Sequence, residues 1–246
     1  MKDEARGQHD VVFLVDVDNT LLDNDEVERD LKTYLERTFG RECQLRYWQI
    51  FEELRAELGY ADYLGALQRY RIEHIRDPHL LEASLFLVDY PFAKQLYPGS
   101  LEVITRLKTW GPAVILSDGD VVFQPRKVQR SGLWDAVQGH VLIYIHKEQM
   151  LADVEQRYPS RHYVMIDDKL RILAAMKEVW QDRLTTVFVR QGHYAHDPEV
   201  LASFPPADLE IESIDEILGY EVNRLVAATR PGKGTWTPAA RKQTSS

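Results

Sequence analysis

Asp16-Val17-Asp18-Asn19-Thr20 follows directly on residues 11–15 (VVFLV), five apolar residues that read as a buried strand. In an extended segment side chains alternate, so Asp16 and Asp18 are expected to point to the same side. Two carboxylates forced together repel unless a cation or a shared proton offsets them. Taken alone, the segment reads equally as a strand end capped by turn-forming Asp and Asn. Later apolar runs end in comparable groups. Residues 113–116 (AVIL) lead into Ser117-Asp118-Gly119, a hydroxyl beside a glycine that lets backbone approach an anion. Residues 141–145 (VLIYI) lead into His146 and Lys147, and a lysine opening a helix opposes the macrodipole unless an anion is near. Residues 163–166 (YVMI) end in Asp167-Asp168-Lys169. Singly, these groups read as a helix cap, a solvated cation and surface charge.

The elements that must position them follow from periodicity. The runs above and residues 186–189 (TVFV) are apolar on both faces where central, as parallel strands covered by helices are. Between them, residues 101–110, 121–130, 148–158 and Leu170–Trp180 carry apolar residues at helical spacing. The alternation predicts an α/β fold with a parallel sheet flanked by helices. Ligands of such a sheet bind at the carboxyl ends of its strands. That rule brings Asp16, Asp18, Thr20, Ser117, Lys147, Asp167 and Asp168 to one edge. At 4 Å and an effective dielectric near 20, each carboxylate pair there costs about 4 kcal/mol. A hard divalent cation offsets such repulsion, and Mg²⁺ suits one or two carboxylates together with a substrate phosphate. The hydroxyl and the ammonium suit phosphate oxygens. The pattern as a whole predicts metal-assisted phosphoryl transfer.

Residues 22–96 break the alternation and read as an all-helical insert of about 75 residues, long enough for a small domain. Leu31, Leu35 and Phe39 form one stripe, Ile50, Phe51, Leu54 and Leu58 a second, and Tyr63, Leu67 and Tyr70 a third. The exit through Pro91, Pro98 and Gly99 suits a hinge. The expected division is a core of residues 10–21 and 97–228, a cap of residues 22–96, and disordered tails at 1–9 and 229–246.

These motifs resemble those of the haloacid dehalogenase superfamily, in which four motifs lie at successive strand ends of a Rossmann-like domain. VVFLVDVDNTLLD is similar to its first motif, VILSDGD to its second, the lysine of YIHKEQ to its third and YVMIDDK to its fourth. The likeness runs from about residue 10 to about residue 220, and the insert sits where the helical cap of the C1 type lies. The resemblance implies that Asp16 is a nucleophile that becomes an aspartyl-phosphate. It implies that Asp18 protonates the leaving group and then activates water. Thr20, Ser117, Asp118, Gly119 and Lys147 would serve the phosphate, with Ser117 and Lys147 also in the catalytic set. Mg²⁺ would be held by Asp16, the Asp18 backbone carbonyl and Asp168, with Asp167 either a direct ligand or one layer further out. Lys147 is followed by Glu-Gln where the family commonly has Lys-Pro. Lys127 is the competing lysine, placed within a helix expected to run away from the site.

The acid at position 18 favours a phosphatase acting on a small phosphorylated metabolite over a dehalogenase. A phosphomutase or phosphotransferase uses the same groups, and a silent binding protein would show a damaged motif. A phospho-signalling receiver domain has its acid pair first in the chain, whereas here it comes last. Within the insert, Tyr47, Trp48, Tyr60, Tyr63, Tyr70 and Arg71 are candidates to face substrate, although most aromatics at helical spacing are packing. His193 and His196 follow the last strand and could border the site.

Composition narrows the remaining classes. The 246 residues carry 30 Lys+Arg against 39 Asp+Glu, a formal charge of −9, and the tail from Arg230 holds four bases and no acid. The rest is thus more acidic still, which argues against a nucleic-acid partner. The lone Cys43 permits no intramolecular disulfide and no thiolate zinc cluster. No apolar run reaches the ~18 residues needed to cross a membrane, and the N-terminus lacks a signal peptide's apolar segment. The expectation is a cytoplasmic protein without membrane partners, monomeric or homodimeric.

Overall fold

The computed structural model describes residues 8–77 and 79–227. Six strands form one parallel sheet: β1 (His9–Val15), β2 (Ala113–Asp118), β3 (Val141–Tyr144), β4 (Ser160–Asp167), β5 (Leu184–Val189) and β6 (Leu209–Ile211). Their order is β3-β2-β1-β4-β5-β6, with β1 at the centre. Leu14 lies beside Val114 on one flank and Met165 on the other. Eleven α-helices are described: α1 (Asn24–Phe39), α2 (Arg41–Leu58), α3 (Tyr63–Glu73), α4 (Leu80–Asp89), α5 (Ser100–Lys108), α6 (Phe123–Arg130), α7 (Leu133–Ala136), α8 (Leu151–Arg157), α9 (Leu170–Trp180), α10 (Pro198–Ser203) and α11 (Val222–Val226). The parallel sheet flanked by helices is the α/β fold that the alternation predicts.

Strand alternation divides the core. Val11, Phe13 and Val15 pack on one face with α5 residues such as Val103, Ile104 and Leu107. Val12 and Leu14 pack on the other with α8 and α9, where Val154, Leu173 and Met176 are buried. Both faces of β1 are therefore dry, and β1 has no choice of register. It begins two residues before the run 11–15 read from sequence: His9 pairs beside Ser160 and its N–H donates to the Pro159 carbonyl at 2.9 Å, so that residue belongs to the sheet and not to a tail. Residues 1–7 and 229–246, also assigned to tails, lie outside the described residues.

Helices α1 to α4 occupy the insert. The three apolar stripes become α1, α2 and α3, while α4 carries no clear stripe because LLEASLFLVD is apolar almost all round. The two ends of the insert are hydrogen-bonded to each other. Asp23 N–H donates to the Gln95 carbonyl at 2.8 Å and Tyr97 N–H to the Leu21 carbonyl at 3.0 Å. A chain of rings crosses from the insert into the core. Trp48 meets Phe51 at 4.9 Å, Phe51 meets Tyr63 at 4.7 Å, and Tyr63 meets Phe123 of α6 at 5.0 Å between centroids.

Two helices begin later than the sequence reading places them. The helix read from residue 121 begins at Phe123, because Asp120 Oδ1 accepts the N–H groups of Val122 and Phe123 at 2.7 Å each and forms a turn first. The helix read from residue 148 begins at Leu151, preceded by a 3₁₀ turn, Lys147–Gln149.

Candidate active site

The carboxyl edge of the sheet collects buried polar groups. Asp16, Thr20, Ser117, Lys147, Asp167 and Asp168 are each at most 2% exposed. Asp16 N–H still donates to the Ile166 carbonyl, so the residue sits at the last rung of the β1–β4 ladder. Beyond it the chain curls: Leu21 and Leu22 both donate to the Val17 carbonyl at 2.9 Å, and Asn19 takes a left-handed φ of 60°. Asn19 Oδ1 then accepts the N–H groups of Asn24 and Asp25, seating the start of α1 beside the site.

The curl separates the two carboxylates that simple alternation pairs. Asp16, Asp167 and Asp168 each present an oxygen, all within 4.8 Å of one another. The Asp18 carboxylate is not in that group. It faces α6 instead, where Lys127 Nζ donates to Oδ1 at 2.6 Å and Gln124 Nε2 to Oδ2 at 3.3 Å. The expected convergence of four carboxylates is thus three plus one, and any ligand role for Asp18 falls to its backbone carbonyl. Lys127 does not run away from the site: it is fully buried, and α6 points it at Asp18. The burial of Phe123, Gln124, Lys127 and Val128 explains the error, since α6 hides polar as well as apolar side chains.

Lys147 bridges two members of the triad. Its Nζ lies 2.5 Å from Asp16 Oδ1 and 2.6 Å from Asp167 Oδ2, and it donates to the Leu116 carbonyl at 3.2 Å. Burial alone would favour a neutral amine, but the facing carboxylates of Asp16, Asp167 and Asp118 outweigh it and hold the ammonium above its usual range. Asp118 accepts the Lys147 N–H at 2.7 Å, which anchors the turn after β3, and burial raises its carboxyl despite that bond. Asp167 accepts the Lys169 N–H at 2.9 Å; burial pushes its carboxyl up to about 6, with Lys147 opposing. Lys169 is half-buried, and Asp168, Asp16 and Asp167 outweigh its desolvation and hold it charged.

Asp168 is the telling residue. Both of its carboxylate oxygens are buried without a hydrogen-bond partner among the described residues. Burial raises its carboxyl well above the ordinary range, with Asp167 and Asp16 adding to the effect. An orphaned buried carboxylate costs free energy unless it is neutralised. All-oxygen donors on three adjacent carboxylates suit a hard cation, so these residues could hold a metal ion.

The phosphate-serving candidates surround this centre. Thr20 Oγ1 donates to Asp16 Oδ2 at 3.4 Å, and Ser117 Oγ accepts from Gln124 Nε2 at 3.0 Å. Gly119 N–H donates to the Tyr144 carbonyl, and a Cβ at Gly119 would fall 2.6 Å from the Cβ of Gln124. That close approach excludes any side chain there. Asp18, Asp118 and Gly119 open onto a cleft of about 410 Å³ between core and insert, whose far wall includes Arg55, Tyr60 and Tyr63.

Of the insert residues named from sequence, Tyr60 and Tyr63 line this cleft. Tyr47 and Tyr70 are buried packing: the Tyr47 hydroxyl donates to the Tyr63 carbonyl at 2.8 Å, and Tyr70 stacks on His74 at 4.3 Å. Trp48 packs against the core cluster and Arg71 is exposed. His193 borders the insert, with Nδ1 at 2.7 Å from Asp25 Oδ1. Among the described residues neither His193 nor His196 joins a metal-binding group. Sequence reasoning missed Gln124 and set Lys127 aside, although their i, i+3 spacing just after Ser117-Asp118-Gly119 was an available signal. It also missed Arg55, whose guanidinium hydrogen-bonds the Tyr194 hydroxyl across the cleft, and no local signal marks that residue.

The haloacid dehalogenase-like hydrolase family model matches residues 11–179. A haloacid dehalogenase-like hydrolase from Burkholderia xenovorans LB400 is similar at 64% identity and a TM-score of 0.84, over 87% of this chain and 100% of its own. YfnB, a HAD hydrolase of Bacillus subtilis whose structure is bound to magnesium, is similar at 17% identity and a TM-score of 0.57, over 86% of this chain and 98% of its own. The L-2-haloacid dehalogenase of Xanthobacter autotrophicus with covalently bound chloropropionic acid is similar at 16% identity and a TM-score of 0.54, over 84% and 96%. At such identities the last two share the fold. No curated protein matches by sequence. With the family model spanning more than half of the chain, and with an acidic triad, a buried lysine and a buried hydroxyl at successive strand ends, this chain belongs to the haloacid dehalogenase-like hydrolases.

Proposed function

We propose that the protein is a Mg²⁺-dependent phosphatase that hydrolyses a small phosphorylated metabolite through an aspartyl-phosphate at Asp16. The observation that carries this reading is the Asp18 carboxylate, partly exposed at 24%, on the wall of the cleft. An alkoxide leaving group needs a proton from such an acid, whereas a departing halide does not. The related dehalogenases among the solved structures therefore supply the fold and not the reaction.

Each step falls to named residues. Lys147 holds Asp16 Oδ1, and Oδ2, which accepts only a 3.4 Å bond from Thr20, is the oxygen that attacks phosphorus. The carboxylate–phosphorus bond forms as the phosphorus–alkoxide bond breaks, and Asp18 delivers its proton to the alkoxide. Asp18, now ionised, takes a proton from water as that water attacks the aspartyl-phosphate, which regenerates Asp16 and releases phosphate. The Ser117 hydroxyl would donate to a phosphoryl oxygen, and the Lys147 ammonium would offset its charge. Asp16, Asp167, Asp168 and the Asp18 carbonyl would hold Mg²⁺, which would neutralise charge on the transferring group. A phosphomutase would use the same groups with a second hydroxyl in place of water.

The test is hydrolysis of an aryl phosphate by the purified protein with Mg²⁺, with a chelator, and beside a 2-haloacid as competing substrate. Mg²⁺-dependent phosphate release with no halide release is the expected result. Halide release, or phosphate release untouched by the chelator, would overturn the reading.

A further inference from the structure

Both oxygens of Asp18 are held by one turn of α6. Lys127 donates to Oδ1 at 2.6 Å and Gln124 to Oδ2 at 3.3 Å, and Gln124 also donates to Ser117 at 3.0 Å. Lys127 is fully buried, so its charge is not shared with solvent. It has a second acceptor, Asn24 Oδ1 at 2.8 Å, at the first residue of the insert's α1. Asn24 Nδ2 in turn donates to the Tyr63 hydroxyl at 3.3 Å, and that hydroxyl donates to Glu28 Oε1 at 2.9 Å. Donors and acceptors thus run in one direction from a core helix into two insert helices, with Lys127 as the junction.

An ammonium this deeply buried is expensive to maintain without a function for its placement. The triad does not require it, since Lys147 already sits among Asp16 and Asp167. What Lys127 does instead is fix the one catalytic carboxylate that the curl after Val17 leaves outside the triad. An aspartate partly open to the cleft would otherwise sample more than one rotamer, and an acid–base group is useful only within hydrogen-bond reach of the reacting oxygen.

We propose that Lys127 is a positioning residue for Asp18, and that through Asn24 it ties the orientation of Asp18 to the seating of the insert over the cleft. This rests on the phosphatase reading for its kinetic consequence, but the placement of the side chain can be read independently of activity.

The experiment compares Lys127→Met, Asp18→Asn and the double variant, by kinetics on an aryl phosphate with Mg²⁺ and by a crystal structure of Lys127→Met. The single Lys127 variant is expected to lower kcat by about 10- to 100-fold with KM changed less than about 3-fold. Added to Asp18→Asn, it should cost no more than about 2-fold further, because it acts through the same carboxylate. Lys127→Arg, which restores the charge, should recover part of the loss. In the crystal, the Asp18 carboxylate of Lys127→Met should leave its wild-type position. Independent, multiplying losses in the double variant, or an unmoved Asp18 in the crystal, would overturn the proposal. If Lys127→Met does not fold, Gln124→Leu releases the other oxygen and should show the same non-additivity with Asp18→Asn. A wild-type protein inactive on phosphate esters would sink the phosphatase reading alone, since the crystal structure still decides whether Lys127 places Asp18.

Discussion

The carboxyl edge of the sheet and the interior of the insert are equally buried and oppositely built. At the edge, three carboxylates and an ammonium sit within a few ångströms of each other, none more than 2% exposed. In the insert, the buried residues are Leu31, Leu35, Tyr47, Ile50, Phe51 and their neighbours, while its ion pairs, such as Arg69–Glu57 and Arg46–Glu73, stay on the surface. The insert follows the ordinary rule that folding buries apolar surface and leaves charge in water. The edge violates that rule at several positions that follow the ends of consecutive strands. Stability there is spent on holding groups in place for chemistry, and the rest of the sheet, dry on both faces, supports the cost.

That contrast predicts substitutions of similar size with very different consequences. The largest effect belongs to Asp16→Asn, which changes no shape: turnover of an aryl phosphate should fall by about 10⁴-fold or more while the fold persists. Residual activity near wild type would mean that the edge is not the reacting centre. Next comes Lys147→Met. Removing the ammonium leaves Asp16 and Asp167 buried without their partner, and the cost should be about 3–5 kcal/mol in denaturant unfolding, with activity lost. A variant as stable as wild type would show that the pair is better solvated than its burial implies.

Leu35→Ala tests the insert. Leu35 is 4% exposed among Leu67, Tyr70 and Leu80, and its truncation should destabilise by about 2–5 kcal/mol. Here kcat/KM measured well below the melting temperature should change less than about 3-fold, because no charged group moves. A large kinetic loss would erase the distinction between the two regions.

The pH dependence of stability sharpens it further. Burial raises the carboxyls of Asp167 and Asp168 in the folded state, so folding takes up protons there. Their favourable contribution is present below the unfolded value and is lost as pH rises through the folded value, about 6 for Asp167. Metal-free protein should therefore melt a few °C lower at pH 8 than at pH 5, and Mg²⁺ at pH 8 should recover the difference. Asp168→Asn should shrink both the pH effect and the Mg²⁺ effect, and a thermal shift series checks all three. The smallest effect is expected from Arg69→Ala, whose ion pair with Glu57 lies at 2.7 Å on the surface of the insert: within about 0.5 kcal/mol of wild type.

Much of the edge could be read from the chain because a parallel sheet converts sequence position into spatial position. Five apolar runs predicted five strands, and the residues following four of them, Asp16, Ser117, Lys147 and the Asp167-Asp168 pair, do meet at one edge. The sixth strand, Leu209–Ile211, is too short to announce itself by periodicity. Helix α4 escaped because an apolar surface on nearly every side carries no stripe. In the insert, Tyr47, Tyr60 and Tyr63 look alike in sequence, yet Tyr47 is packing while Tyr60 and Tyr63 reach the cleft. Helical spacing says that a residue faces inward and not whether a cavity lies there.

The sequence by itself determined the parallel α/β core, the helical insert after the first strand and the set of oxygen and nitrogen groups at the strand ends. These follow from local periodicity and from the geometry that a parallel sheet imposes on whatever comes after each strand. Only the tertiary structure decided which charges meet. Asp18 faces Lys127, 109 residues along the chain, because the backbone curls at Asn19 and α6 turns its polar side inward. A buried charge is tolerated only beside its counter-charge, and that partner is selected by packing across the whole molecule, which spacing along the chain does not encode.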